Sequence, residues 1–228
     1  MTTNAEREKA VAAAHAVTLV KDGMRVGLGT GSTAAYAVKG IGARVRQGMR
    51  VTAVATSEKT RVLAESEGIR VSDLAQCPEL DLTIDGADEA DRALRLIKGG
   101  GGALLREKIV ASVSKRVVII ADSQKLVARL GKFPLPVEVV KFAWPVVAAR
   151  LTKMGAEAKL RLAPGGAEFV TDEGHVILDA HFGVIERPEE VAQTLSTTPG
   201  VVEHGLFLGL ATTLVVARGE SVEVIERP

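Results

Sequence analysis

The segment Met24-Arg25-Val26-Gly27-Leu28-Gly29-Thr30-Gly31-Ser32-Thr33 runs a short apolar stretch into a glycine turn and then into a polar helix start. Residues 24–28 read as a buried strand, and the following helix reads from about 32 to 46, stopped by Gly48. A strand feeding a helix through a tight turn is half of a βαβ unit, and the pattern recurs along the chain. Residues 51–55 form the next strand, 57–67 a helix closed by Gly68, and 69–71 a short strand. Residues 81–84 run into Asp85-Gly86-Ala87-Asp88-Glu89, and 93–97 run into Lys98 and four glycines, Gly99 to Gly102. A helix over 103–114 places Leu105, Ile109 and Val113 on one face, and 116–121 is a strongly apolar strand. Upstream, 4–21 reads as an Ala-rich helix capped by Thr3 or Asn4, with Glu6-Arg7-Glu8-Lys9 as a solvated, ion-paired face. The expected fold is α/β, a doubly wound, mostly parallel, Rossmann-like sheet.

The character changes at the Pro-bearing connection Gly131-Lys132-Phe133-Pro134-Leu135-Pro136. Strands are expected over 137–140, 157–162, 168–171, 176–180 and 201–207, with helices over 145–154 and 188–196. Pro145 suits the first helical turn. The strand-helix-strand-strand-helix-strand order resembles a small α+β split-βαβ, ferredoxin-like module. The tail alternates again over 213–217 and 222–225. The expected division is 1–131 with 206–228 as the catalytic domain, and 132–205 as a small domain that builds oligomer contacts.

Composition narrows the function. The 228 residues carry 29 Lys plus Arg against 28 Asp plus Glu, a net charge of +1, with 3% aromatics and one cysteine. That balance argues against nucleic-acid binding, and the few aromatics argue against stacking platforms for single strands. One cysteine makes neither an internal disulfide nor a Cys-based zinc site. No run of about 18 apolar residues suggests a membrane span, and the first residues lack an apolar signal core. A reduced, cytoplasmic protein is the expectation.

Three strand ends carry polar or glycine-rich turns, where ligands bind in a doubly wound sheet. Gly29-Thr30-Gly31-Ser32-Thr33 offers close backbone approach, hydroxyls and a helix N-terminus, which suit a phosphate. It is not a P-loop, since no Lys-Ser or Lys-Thr pair follows. As a dinucleotide fingerprint it is partial, because Glu58 comes too late. Asp85 and Asp88 fit metal binding, hydroxyl orientation or turn chemistry. The four histidines, His15, His175, His181 and His204, lie outside all three turns. Lys98 with Gly99 to Gly102 is a cradle that costs backbone entropy, and Glu107 stands about one turn into the next helix. Lys125 follows the 116–121 strand at the same edge.

Thr30-Gly31-Ser32-Thr33, Asp85-Gly86-Ala87-Asp88-Glu89, Lys98-Gly99-Gly100-Gly101, Arg106-Glu107-Lys108 and the stretch from Gly131 to Val139 together resemble ribose-5-phosphate isomerase, type A. The resemblance extends from the first helix to the 201–207 strand. It implies an aldose–ketose isomerase of the pentose phosphate pathway without cofactor or metal, acting on a phosphorylated pentose as a homodimer, or alternatively a tetramer. It also implies that Glu107 is the base, with Asp85, Asp88 and Lys98 around the reacting oxygens. Thr30, Gly31, Ser32, Thr33, Gly99, Gly100, Gly101 and Lys125 would bind substrate. The chemistry fits: a carboxylate takes a carbon-bound proton and returns it one carbon away, and a cation steadies the enediolate. Burial would raise the pKa of Glu107 and Lys98 would lower it. The competing readings are a non-catalytic sugar-phosphate sensor, which needs an appended partner or DNA-binding segment, and a nicotinamide-dependent dehydrogenase.

Overall fold

The computed structural model describes residues 3–227. In chain order the elements are α1 (Asn4–Val17), β1 (Arg25–Leu28), α2 (Ser32–Arg46), β2 (Thr52–Ala55), α3 (Glu58–Ser66), β3 (Arg70–Ser72), β4 (Leu82–Gly86), β5 (Glu89–Ala90), β6 (Leu96–Ile97), α4 (Leu104–Ser112) and β7 (Val117–Asp122). They continue as β8 (Leu135–Val139), α5 (Trp144–Lys153), β9 (Glu157–Leu160), β10 (Val176–His181), α6 (Pro188–Ser196), β11 (Val201–His204), β12 (Leu206–Phe207), β13 (Thr213–Arg218) and β14 (Ser221–Glu226).

The main sheet has the order β14-β13-β7-β4-β1-β2-β3 and is parallel except for β14. The chain winds outward from β1 in one direction through β2 and β3, and in the other through β4, β7 and β13. The switch point therefore lies between β1 and β4, where a crevice opens at the carboxyl ends of the strands. The strands are apolar throughout because helices cover them: Val118, Ile119 and Ile120 of β7 are all buried. This is the expected α/β sheet.

The second sheet is antiparallel, ordered β11-β8-β10-β9, with α5 and α6 packed on it through Val147, Leu151 and Leu195. Its βαββαβ order is the expected ferredoxin-like arrangement. A three-stranded sheet, β12-β6-β5, stands as a third unit.

Local side-chain and backbone chemistry revised several elements. The single strand expected over 201–207 is divided at Gly205 between two sheets. Lys98 N–H donates to Gly205 O, and Gly205 N–H donates to Pro136 O, at 2.9 and 2.7 Å. A Cβ at Gly205 would lie 2.2 Å from Lys98 O, so only glycine permits this approach. The strand expected over 93–97 shrinks to β6, because Asp91 Oδ1 accepts the N–H groups of Ala93 and Arg95 and folds them into a turn. Residues 168–171 make only isolated bridges. The Glu6–Lys9 run is not simply solvated. Glu8 is buried, and its carboxylate accepts from Gly219 N–H, Ser123 N–H, Ser123 Oγ and Asn4 Nδ2. The two backbone donors, led by Gly219, hold its pKa down to about 2.

Candidate active site

The crevice at the switch point is a cavity of about 130 Å³. Thr30 to Thr33 line it from the end of β1, and Gly86 to Asp88 from the end of β4. Lys98, Gly99 and Gly101 come from the turn after β6, Glu107 from α4, Lys125 from beyond β7, and Lys9 from α1.

Close backbone approach builds the first wall. Gly29 N–H donates to Ile84 O at 2.9 Å, and a Cβ on Gly29 would fall 2.0 Å from Asp85 Oδ1. Gly31 takes φ +121°, a conformation that suits glycine, and starts α2 without a side-chain cap. The first intrahelical bond of α2 runs from Ala35 N–H to Gly31 O, which leaves the N–H groups of Ser32 and Thr33 facing an anion-ready helix end. Lys9 and Lys125 add two cations to the same cavity.

At the other end, Lys98 Nζ lies 2.9 Å from Asp85 Oδ2 and 3.3 Å from Glu107 Oε2, and it donates to Gly86 O at 2.6 Å. All three ionisable side chains are buried. Asp85 Oδ1 accepts from Gly86 N–H and Thr30 N–H, so both of its oxygens are engaged. Glu107 Oε2 has ion-pair proximity to Lys98 but no hydrogen-bond partner. Burial therefore wins the contest over Glu107. Desolvation pushes its carboxyl up to about 8, against the downward pull of Lys98. Asp85 is also raised, mainly by desolvation. Burial works against the charge on Lys98, yet Asp85 and then Glu107 outweigh it and hold the ammonium above its ordinary value.

The remaining predicted residues divide in role. Asp88 lines the cavity, and its Oδ2 accepts Gly100 N–H at 2.7 Å. Gly100 itself does not line the cavity. The Thr30 hydroxyl turns away into a cluster with Thr56, Ser57 and Thr60, leaving the rest of Thr30 to shape the wall. Lys9 escaped the sequence reading, since it sits in a helix whose charges look like a surface face. Among the described residues, no group of three or more His, Cys, Asp or Glu side chains is placed to hold a metal ion, and no helix is long and apolar enough to cross a membrane.

A buried carboxylate of raised pKa, a lysine beside it and an anion-ready helix end, at the switch point of a doubly wound sheet, mark an isomerase of phosphorylated sugars. The family model described as ribose 5-phosphate isomerase A (phosphoriboisomerase A) matches residues 52–221. The chain belongs to this family. It is 57% identical over 225 residues to a ribose-5-phosphate isomerase A of Sphingopyxis alaskensis, covering 99% of this chain and 98% of that one. A ribose 5-phosphate isomerase A of Neisseria gonorrhoeae superposes with a TM-score of 0.92 at 40% identity, over 100% of this chain and 99% of that one. A D-ribose-5-phosphate isomerase solved in complex with phospho-erythronic acid superposes with a TM-score of 0.96 at 38% identity, over 99% and 100% of the two chains.

Proposed function

We propose that this chain interconverts D-ribose 5-phosphate and D-ribulose 5-phosphate through an enediolate, with Glu107 as the base. The observation that carries the reading is the unpartnered, buried Glu107 Oε2 beside Lys98, in a cavity whose other end is built for an anion. The phosphate sits on the Ser32 and Thr33 N–H groups with Lys9 and Lys125. Glu107 then takes the proton from C2 of the open-chain aldose and returns it to C1. Lys98 steadies the charge that develops on the oxygen. The two aspartates take different tasks. Asp85, engaged on both oxygens, holds Lys98 in place. Asp88, facing the cavity, moves protons between the sugar oxygens and assists ring opening. Phospho-erythronic acid, which the solved relative binds, fits this scheme, because its carboxylate offers two oxygens on one carbon end as the enediolate does on two.

The test is ribulose 5-phosphate formation from ribose 5-phosphate by purified protein in a chelator. Turnover is expected, and its absence with or without added divalent metal would defeat the reading; a sensor would bind the sugar without converting it. Lys9→Met should raise KM about tenfold, a loss of about 1.4 kcal/mol of phosphate binding, with kcat nearly kept. A drop in kcat without a rise in KM would remove Lys9 from the phosphate site.

The chain works as a homodimer, with the 132–205 module supplying subunit contacts. The support is a set of apolar side chains exposed on that module: Phe142, at 95% exposure, with Val146, Leu162 and Val170. Light scattering that gives a monomer would exclude this, and a tetramer would extend it. That a phosphorylated substrate does not cross membranes unaided supports a cytoplasmic location, on the side where sugar phosphates are made.

A further inference from the structure

The glycine cradle after Lys98 is held from outside the main sheet. Arg161, at the end of β9, donates from Nη1 to Gly99 O at 2.8 Å and to Gly100 O at 3.2 Å. Its Nε donates to Asp179 Oδ2 of β10 at 2.9 Å, Nη2 pairs with Asp179 Oδ1, and the guanidinium lies over the Phe169 ring. The side chain is only 13% exposed. A planar fork clamped on one side by a carboxylate is well suited to fix two carbonyls on the other.

The consequence follows from peptide geometry. No cis peptide is present among the described residues, and in a planar trans peptide the C=O and N–H point in opposite directions. With Gly99 O on Arg161, the Gly100 N–H of the same peptide must point away, and there it meets Asp88 Oδ2. With Gly100 O on Arg161, the Gly101 N–H also points away, on the side of the cavity that Gly101 lines. That N–H has no acceptor among the described residues. The glycines' own turn bond, Gly102 N–H to Gly99 O at 3.0 Å, engages one of these carbonyls but leaves Gly100 O to Arg161, and glycine has no side chain to restrict the planes further.

We infer that Arg161, held by Asp179, is a positioning residue that sets two peptide planes, aiming Gly100 N–H at Asp88 and Gly101 N–H at the substrate oxygens. The inference rests on the isomerase reading above.

The test compares wild type with Arg161→Met and Arg161→Lys. Arg161→Met should lose about 10–100-fold in kcat, the scale of a misplaced reacting geometry, with KM changed by less than about threefold. Affinity for phospho-erythronic acid should fall in step with kcat, while inhibition by inorganic phosphate stays unchanged. Arg161→Lys, which keeps the charge but not the fork, should fall between. A folded Arg161→Met with wild-type kcat, or with equal losses for phosphate and phospho-erythronic acid, would overturn the inference. If Arg161→Met fails to fold, Asp179→Asn carries the test, with the same split expected at smaller size and wild-type kcat counting against it. Wild-type protein inactive on ribose 5-phosphate would instead defeat the isomerase reading, whatever the variants do.

Discussion

Glu107→Gln lowers kcat about 10²–10⁴-fold, the range for losing a general base, while ribose 5-phosphate still binds. The amide fills the same space on α4 and leaves the phosphate end of the cavity untouched. Steady-state kinetics with a separate binding measurement check this, and near-wild-type turnover would remove Glu107 from the role. The pH profile gives a second reading of the same group. A base must be ionised to act, and burial pushes the Glu107 carboxyl up to about 8. The kcat/KM of wild type should therefore rise as pH increases toward and through about 8, and the residual activity of Glu107→Gln should lack that limb. Stability runs the other way. Because the folded pKa is raised above the ordinary glutamate value of 4.5, the folded protein keeps a proton that the unfolded chain releases. The native state is favoured at low pH and loses that contribution between about 4.5 and about 8. Glu107→Gln is spared this loss, so above pH 8 its melting temperature should exceed that of wild type.

Lys98→Met carries the second large effect. It leaves Asp85 and Glu107 buried without their shared cation. Removing one partner from a buried ion pair costs about 3–5 kcal/mol, so thermal unfolding should occur well below the wild-type temperature. Folded enzyme should also lose at least about 10²-fold in kcat, the scale of one oxyanion donor. The remaining rising limb of the pH profile should move to higher pH, because the cation that pulls Glu107 down has gone. A limb that stays in place would mean Lys98 does not control the base.

The sheet was legible from its short apolar runs, because a parallel strand covered on both faces leaves that mark in sequence. The turns after β1 and β4 were legible too, since glycine and aspartate at strand ends have few other uses, whereas the Lys98 turn, expected at the edge of the same sheet, follows β6 in the three-stranded antiparallel sheet. What depended on distant partners was not. Residues 93–95 read as strand by their own character, but the Asp91 carboxylate claims their N–H groups. Gly205 divides a strand because Lys98 and Pro136 meet its backbone. Lys9 and Glu8 lie side by side in a run of charges, yet one faces the cavity and the other is enclosed. The protonation of Glu107 was undecidable from sequence, because burial and Lys98 oppose each other and only the fold sets their distances. The same holds for the two aspartates: Asp85 and Asp88 differ in what surrounds them, not in type.

The enclosed carboxylate of Glu8 also says something about biosynthesis. Its acceptors are filled from residues 4, 123 and 219, so this carboxylate waits for a backbone donor made 211 residues later. Helix α1 likewise rests on β7 and β13, neighbouring strands of the main sheet that precede and follow residues 132–205 in the chain. A ribosome-bound chain halted before Thr213 would present α1 with an unfilled anion and an uncovered flank. Such a chain should remain open to proteases across α1 until the β13-β14 hairpin emerges, because domains mature as whole units during synthesis. Protection of α1 in the halted chain would show that the helix docks without it.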